Sequence, residues 1–353
     1  MNTIEVKAYG TDASNIPLKE MSIVRREVLP KDVEIDILYC GVCHSDLHQA
    51  RNDWGGSSYP IVPGHEIVGR VSKIGQDVLK YKVGDLVAVG CLVDSCRTCA
   101  NCKKDMEQYC LNGFTVTYNG TDKHLGGPTF GGYSEKITVD EDFVLKVPEN
   151  IDPAAAAPVL CAGITVWSPL RHWKVGKGSK VAIIGLGGLG HMGIKLAKGL
   201  GAEVTLFSRS AEKATDAKRL GADQVVISTD ELDMQSVYGK FDLIIDTVPY
   251  DHDITPYMHT LATDGTLVLV GYFGNFEQKF NTLPLYMRRS VVGSAIGGIA
   301  ETQELLDFCG QTGIVSDIEL ITIQDINQAF ERMEKSDVRY RFVIDMKSLK
   351  TKV

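Results

Sequence analysis

The sequence predicts an α/β protein with a β-rich domain and a second domain built on a doubly wound parallel sheet. The first observation is length, because 353 residues exceed what a single hydrophobic core usually serves. The second is a change of pattern near residue 153, where short strands separated by glycines give way to apolar strands that alternate with helices. We therefore predict one domain from residues 1–152 and 290–353 and another from residues 153–289.

Runs dense in β-branched residues predict the strands of the first domain, at 33–40, 65–75, 84–90 and 134–139. In the second domain the predicted strands are 180–185, 203–208, 224–228, 241–248, 266–271 and 291–296. Helices are predicted between these strands at 191–200 and 211–221. Two amphipathic segments, 301–310 and 323–335, predict helices that return to the first domain.

Composition excludes several classes of partner. The chain is 44% hydrophobic and 23% charged, as in ordinary globular proteins. Its net charge of -8 argues against binding to nucleic acid or to an anionic membrane, since no basic stripe is available to neutralise phosphates. The apolar runs are shorter than a membrane span, and the first residues show no signal peptide. We therefore expect a cytoplasmic protein.

Four clustered cysteines predict a structural zinc site. They are spaced C-x2-C-x2-C-x7-C, at Cys96, Cys99, Cys102 and Cys110. Four thiolates close a tetrahedral shell around Zn²⁺. A disulfide knot is disfavoured by the missing signal peptide and the odd number of cysteines. An iron–sulfur site of the bacterial ferredoxin type would need a different spacing of the fourth cysteine.

A second, scattered set predicts a catalytic zinc. Cys43, His65 and Cys161 lie far apart in the sequence, and a Cys2His set leaves one position of the metal open. Polar residues follow two of these ligands. Asp46 is a candidate for orienting the zinc-binding histidine, and Glu66 for an outer or exchanging ligand.

Ser45 and His48 follow Cys43 closely and are candidates for a proton relay. A serine hydroxyl can hydrogen-bond the reacting oxygen, and an imidazole with a pKa near 6.5 can pass a proton to solvent. As isolated residues, both would more often be ordinary polar residues of a turn. Their place beside a ligand cysteine favours the relay.

A glycine-rich loop predicts dinucleotide binding. Gly185, Gly187 and Gly190 form G-x-G-x-x-G, with Gly188 and Leu189 inside it, between a predicted strand and a predicted helix. The helix N-terminus would bind the pyrophosphate.

The end of the second strand indicates which dinucleotide. An NAD site places an acid there, whereas this chain has Ser208, Arg209 and Ser210, followed by Lys213. Hydroxyls and cations favour a 2′-phosphate, and thus NADP(H). The alternative is that Arg209 and Lys213 are solvated residues at a helix start.

These motifs, together with PGHEIVGRV, CAGITVWSPL and ETQELLDF, resemble the zinc-dependent medium-chain alcohol dehydrogenases, and among them the NADP-dependent cinnamyl alcohol dehydrogenase branch. The resemblance covers essentially the whole chain. It implies a GroES-like catalytic domain and a Rossmann cofactor domain, with Cys43, His65 and Cys161 as ligands of the catalytic zinc. It also implies a homodimer formed through the cofactor-domain sheet at VVGSAI.

The resemblance also implies further site residues. His44 falls where the family contacts the cofactor pyrophosphate, and Thr165 where a threonine approaches the nicotinamide. Four residues fall near the family's substrate pocket: Trp54, Cys91, Tyr118 and Ile296. The 2′-phosphate-binding turn departs from plant members in one residue, because Arg209 replaces a serine.

The expected function is reversible reduction of aldehydes, aromatic or medium-chain, to primary alcohols with NADPH, using two zinc ions per chain. One alternative is an NAD-dependent polyol or secondary-alcohol dehydrogenase, against which the missing acid at Ser208 counts. Others are a non-catalytic NADPH-binding protein and a zinc-module interaction protein. An open zinc site disfavours the former, and a complete cofactor domain disfavours the latter.

Overall fold

The computed structural model describes residues 2–272, 274, 277 and 281–350. They form two compact units, one within residues 1–161 and 297–353 and the other within residues 162–296. The domain boundaries predicted from the sequence, at 152/153 and 289/290, stay a prediction. Met1 and residues 351–353, at the ends of the predicted ranges, lie outside the described residues.

The strands of the described chain, in order, are β1 (Thr3–Gly10), β2 (Lys19–Arg26), β3 (Asp32–Gly41), β4 (Ile67–Ile74), β5 (Leu86–Val89), β6 (Leu92–Asp94), β7 (Thr115–Val116), β8 (Lys136–Asp140), β9 (Leu145–Lys146), β10 (Lys180–Ile184), β11 (Glu203–Ser208), β12 (Gln224–Ile227), β13 (Phe241–Asp246), β14 (Leu261–Leu269), β15 (Ser290–Gly293), β16 (Ile318–Thr322) and β17 (Arg341–Asp345). The α-helices are α1 (His44–Arg51), α2 (Pro153–Ala156), α3 (Ala162–His172), α4 (Gly188–Gly199), α5 (Ala214–Leu220), α6 (Glu231–Gln235), α7 (Thr255–Thr260), α8 (Ile299–Thr312), α9 (Ile326–Glu334) and α10 (Lys347–Lys350).

The first unit is built on a seven-stranded sheet in the order β16-β17-β3-β4-β5-β9, with β8 also paired to β3. Strand β3 is central and almost wholly buried, and it pairs antiparallel with β4, β8 and β17. In this register Cys40 lies opposite Ile67, and Gly41 opposite Val343. The end of β3 therefore lies beside the start of β4 and beside β17.

The second unit is a six-stranded parallel sheet in the order β12-β11-β10-β13-β14-β15. Counted along the chain this is the 3-2-1-4-5-6 order of a Rossmann fold, with its switch point between β10 and β13. Apolar residues of these strands pack with Met234, Tyr257 and Met258 in one buried cluster. The predicted doubly wound sheet is confirmed.

Three of the predicted segments differ from the structure in detail. The predicted strand 291–296 is strand β15, which ends at Gly293. The predicted helix 211–221 begins as a 3-10 turn, Ala211–Lys213, before α5. The C-terminal segment contributes two strands as well as helices. These strands, β16 and β17, lie before and after α9 and pair in parallel. In the described part of the chain no single helix could span a membrane, although the bent pair 153–160 and 162–172 would suffice by length and composition alone.

Candidate active site

Cys43 and Asp46 are both fixed by the N-terminus of α1. Cys43 precedes the helix in an extended conformation, and its N–H donates to Asp46 Oδ2 over 2.9 Å. Asp46 is the third helical residue, the position from which an acidic side chain reaches back to the free N–H before a helix. The local sequence therefore places a thiol and a carboxylate at one helix end.

Asp46 also contacts His65, which lies just before β4. The carboxylate is fully buried, and its Oδ1 lies 3.1 Å from His65 Nδ1. A bond at Nδ1 leaves Nε2 free to bind a metal. Burial opposes protonation of His65, but the Asp46 carboxylate outweighs it and raises the pKa of the imidazole well above its usual value.

The scattered ligand set comes together in the first unit. Ligand atoms of Cys43, His65, Glu66 and Cys161 all lie within 4.8 Å of one another, and all four residues are buried. The sulfurs of Cys43 and Cys161 are 3.9 Å apart. Zn–S bonds of about 2.3 Å at a tetrahedral angle place two thiolates about 3.8 Å apart. The donor set and its spacing therefore fit a zinc ion.

The two thiols of this cluster are electrostatically different. A hydrogen bond with Cys161 holds the pKa of Cys43 well below the usual thiol value, against the effect of burial. The same bond, with burial, raises the pKa of Cys161. Of the two thiols, Cys43 therefore ionises more readily than Cys161.

Glu66 forms a buried ion pair with Arg341 of β17. Burial raises the pKa of Glu66 to about 7, although the guanidinium opposes this shift. The other carboxylate oxygen, Oε2, is buried without a hydrogen-bond partner, and a Cβ added at Gly41 would lie 1.9 Å from it. An unsatisfied buried oxygen beside two thiols and an imidazole is a further sign of a metal site.

The two proposed relay residues both lie on α1. Ser45 and His48 are both half-buried. His48 Nδ1 lies 2.8 Å from Asp53 Oδ2, and its ring centroid is 5.0 Å from that of Trp54 and 6.3 Å from that of His44. Asp53 therefore fixes the orientation of the His48 ring.

The four clustered cysteines converge in their own loop, with all sulfurs within 4.8 Å. The Cys96 and Cys102 sulfurs are 3.9 Å apart, and none of the nine cysteines is in a disulfide. Backbone N–H groups of Thr98 and Cys99 lower the pKa of Cys96 to about 5. Such N–H···S bonds stabilise thiolates, the form that binds zinc.

The predicted substrate-pocket residues have different surroundings. Tyr118 is buried, with its ring centroid 5.7 Å from that of His65. The Cys91 thiol is half-buried and lies 3.6 Å from the Leu160 carbonyl oxygen, next to Cys161 in the sequence. Trp54 is 46% exposed beside His48. Ile296 belongs to the other unit and is half-buried there.

In the second unit the glycine loop joins β10 to α4. Gly185 follows β10 with φ +88°, and Gly187 precedes the first helical residue, Gly188. A Cβ added at Gly190 would lie 2.1 Å from the Gly185 carbonyl oxygen. Leu189 occupies the first turn of the helix. Because Gly190 has no side chain, the start of α4 can lie this close to the loop. The free N–H groups at the N-terminus of α4 are suited to a phosphate. Thr165, also in this unit, is buried in α3.

The turn after β11 gathers polar and cationic groups. Ser208 ends the strand, and its hydroxyl donates to the Ser210 carbonyl over 2.8 Å. Lys213 Nζ lies 3.3 Å from the Leu186 carbonyl oxygen of the glycine loop. The Arg209 guanidinium lies over the Tyr250 ring at 5.8 Å. The turn thus presents hydroxyls and two cations next to the loop, an arrangement suited to an additional phosphate.

Sequence reasoning missed Arg341, Asp53 and Tyr250. Arg341 is 275 residues from its partner Glu66, so no local pattern could reveal the pair. Tyr250 follows β13, and only the parallel pairing of the sheet brings it beside Arg209. Asp53 was accessible to sequence reasoning, since it lies five residues after His48, in the turn that follows α1.

Comparison with known proteins gives consistent matches. Residues 29–149 match the family model "Alcohol dehydrogenase GroES-like domain" and residues 188–311 match "Zinc-binding dehydrogenase". The chain is 51% identical, over 98% of its length and 99% of the relative's, to NADP-dependent alcohol dehydrogenase C 1 of Mycolicibacterium smegmatis. The same identity and coverages hold for aldehyde reductase YahK of Escherichia coli. The structure of cinnamyl alcohol dehydrogenase SbCAD4 from Sorghum bicolor superposes with a TM-score of 0.93 at 42% identity, covering 98% of each chain.

Proposed function

The chain belongs to the zinc-dependent medium-chain alcohol dehydrogenases, and from that premise we propose that it reversibly reduces aldehydes to primary alcohols with NADPH. The observation that carries the proposal is the buried set Cys43, His65, Glu66 and Cys161. A protein that only binds NADPH has no use for such a set. The names of the two bacterial relatives, an NADP-dependent alcohol dehydrogenase and an aldehyde reductase, support both the cofactor and the reaction.

Cys43, His65 and Cys161 would hold the catalytic metal, with Glu66 beside them. Zinc bound there supplies a Lewis acid for a carbonyl oxygen. Asp46 orients the imidazole of His65 through its Nδ1. Arg341 neutralises Glu66 and so limits the negative charge of the donor set. These residues together fix the ligands before a substrate enters.

Ser45 and His48 would move the proton that the product oxygen needs. Ser45 lies one residue inside α1, and His48 lies one turn further along the helix. Asp53 holds His48 by Nδ1, which leaves Nε2 for proton exchange. We place His44, at the start of the same helix, near the cofactor pyrophosphate.

The second unit would bind the cofactor. NADPH held there supplies the hydride. Gly185, Gly187, Gly188, Leu189 and Gly190 would bind the pyrophosphate at the N-terminus of α4. The 2′-phosphate would be bound by the turn formed by Ser208, Arg209, Ser210 and Lys213, and Thr165 would approach the nicotinamide.

Four further assignments belong to this proposal. The first unit would be the catalytic domain and the second the cofactor domain. A second zinc would bind Cys96, Cys99, Cys102 and Cys110, giving two per chain. In the first unit the substrate pocket would include Trp54, Cys91 and Tyr118, an apolar and aromatic set that suits cinnamyl-type aldehydes. Two thiol-rich sites suit the reducing cytoplasm.

We place a homodimer contact at β15. This strand has one neighbour, β14, in the described sheet, so its outer edge is open to a second strand. Leu283, Tyr286 and Met287, just before the strand, are exposed. A second copy paired at this edge would cover them. Sedimentation velocity of the zinc-loaded protein tests the assignment, and a monomer at micromolar concentration would contradict it.

The function is tested by initial rates of cinnamaldehyde reduction by zinc-loaded protein, with NADPH and NADH at equal concentration. We expect fast oxidation of NADPH and slow oxidation of NADH. Faster turnover with NADH would contradict the cofactor assignment and leave the enzyme class standing. Turnover of secondary alcohols without any turnover of aldehydes would favour the polyol dehydrogenase alternative.

Replacing His48 with glutamine is expected to lower kcat about tenfold with little change in KM for NADPH. A general acid or base typically raises the rate by more than this, about 100-fold or more. We expect a smaller effect here, because His48 is only half-buried and water can take over part of the proton transfer. The measurement is kcat and KM with NADPH at one fixed pH, and an unchanged kcat would contradict the relay. Gln49→Ala, on the same helix, should keep the native kcat.

Replacing Cys102 with alanine is expected to remove one of two zinc ions and to lower the Tm by at least about 10 °C, because structural zinc contributes folding free energy directly. Zinc content by mass spectrometry and thermal unfolding measure the two effects. An unchanged zinc content would show that the four-cysteine loop does not bind metal.

A further inference from the structure

We propose that Tyr133 is a positioning residue for the zinc-binding histidine, because its hydroxyl holds the Asp46 carboxylate that orients His65. The inference rests on the proposed function, since it takes His65 to be a zinc ligand. Tyr133 is fully buried, and it is not one of the four residues whose ligand atoms form the cluster.

Four donors hold Asp46 in the described structure. Oδ1 accepts from Gly64 N–H at 3.1 Å and lies 3.1 Å from His65 Nδ1, while Oδ2 accepts from Cys43 N–H at 2.9 Å and from the Tyr133 hydroxyl at 3.2 Å. Three of these donors lie in the segments that carry the ligands themselves. Tyr133 is the one that ties Asp46 to a separate part of the fold. A buried carboxylate with all its acceptor directions used has one orientation.

The main chain around Tyr133 runs alongside the segment that leads into His65. Tyr133 N–H donates to the Pro63 carbonyl over 3.0 Å, and Gly132 N–H donates to the Gly64 carbonyl over 2.8 Å. The ring fills the space beside Gly64, since a Cβ added there would lie 2.7 Å from Tyr133 Cδ1. Tyr133 and the residues before His65 therefore form one packed unit.

A buried arginine fixes the segment on both sides of Tyr133. The Arg25 guanidinium makes hydrogen bonds of 2.8–2.9 Å to four acceptors: Phe130 O, Gly131 O, Ser134 Oγ and Lys136 O. Planar guanidinium donors define both distance and direction. The Arg25 hydrogen bonds therefore hold the segment that carries Tyr133 in one position, and with it the hydroxyl that donates to Asp46.

Removing the hydroxyl should weaken zinc binding at the open site. In Tyr133→Phe the ring and its packing stay, but Oδ2 of Asp46 keeps one donor, and the carboxylate can turn away from His65. Changes to the partners of metal-binding histidines typically cost 10-fold to 100-fold in metal affinity. Because Tyr133 acts through Asp46, we expect a loss near the lower end, about tenfold.

The experiment is zinc competition with a chromogenic chelator, applied to the full-length protein. Cys161→Ala first identifies which of the two zinc ions belongs to the open site. Tyr133→Phe is then compared with Tyr81→Phe, a matched control, because Tyr81 is also buried and its hydroxyl donates to a main-chain carbonyl, that of Val144. Thermal unfolding of both variants is recorded in parallel.

Weaker binding of the Cys161-dependent zinc in Tyr133→Phe, with Tyr81→Phe and the other zinc unchanged, is the expected result. Unchanged affinity in Tyr133→Phe overturns the inference while leaving the proposed function intact. Equal weakening in both tyrosine variants also overturns it, because the cause is then a general loss of packing. If Cys161→Ala loses no zinc, the proposed metal site itself fails, and the inference fails with it.

Discussion

Replacing Cys43 with alanine is expected to lower aldehyde turnover at least a thousandfold while NADPH binding stays unchanged. Cys43 shares a buried cluster with His65, Glu66 and Cys161, and a zinc site that loses one of three protein ligands holds its metal poorly. Lewis-acid stabilisation contributes several kcal/mol to such reactions, and about 1.4 kcal/mol corresponds to a factor of ten. The glycine loop belongs to the other compact unit, so the cofactor site keeps its residues.

Steady-state rates with NADPH and cinnamaldehyde measure the first effect, and fluorescence titration with NADPH measures the second. The Asp46 N–H donates over 3.1 Å to the Cys43 carbonyl oxygen, which alanine retains, so the variant should lose little stability. A Tm near that of the native protein separates loss of chemistry from loss of fold. Cys309→Ala is the control and should keep normal turnover. Cys309 is also a buried cysteine, but it lies in α8 and is not one of the cluster residues.

Normal turnover by Cys43→Ala would mean that the cluster has no catalytic part. Combined loss of turnover and of NADPH binding would point instead to damage of the whole chain. A native protein without aldehyde turnover, whose NADPH binding and Tm change little in Cys43→Ala, would instead be a non-catalytic NADPH-binding protein. That is the alternative from another functional class.

Motifs whose residues are close in the sequence could be predicted well from the sequence. The spacing of Cys96, Cys99, Cys102 and Cys110 predicts a convergence that the structure shows, because a short loop leaves few other arrangements. The glycine loop is likewise local, since a strand, a turn and a helix follow one another directly. The alternation of apolar strands and helices predicted the parallel sheet for the same reason.

Pairings between distant segments could not be predicted in this way. Arg341 reaches Glu66 only because β17 pairs with β3, and β17 was not predicted as a strand. Tyr133 reaches Asp46 because the main chain near Gly132 runs beside Gly64. Sequence spacing contains no information about such contacts. The sequence therefore predicts the candidate ligands better than the residues that orient them.

Replacing Ser208 with aspartate is expected to shift cofactor preference towards NADH, lowering the ratio of kcat/KM for NADPH over NADH about a hundredfold. Ser208 ends β11, where an acidic side chain binds the ribose hydroxyls of NAD. The new carboxylate would repel a 2′-phosphate and pair with Arg209, which now lies over Tyr250. Hydrogen bonds to charged groups contribute about 1.5–3 kcal/mol each, so losing one contact and adding repulsion gives this magnitude.

The ratio is measured from initial rates with each cofactor at saturating aldehyde. Ser236→Asp is the matched control, since it adds the same charge at an exposed position that ends α6 in the same unit, and its ratio should stay unchanged. Arg209→Ser provides a second test of the same turn. It should weaken NADPH binding and leave NADH binding unaffected, because only the 2′-phosphate carries the charge that the guanidinium pairs with. Equal loss with both cofactors would instead place Arg209 against the adenine ring common to both, and the preference for NADPH would then depend on Ser208, Ser210 and Lys213.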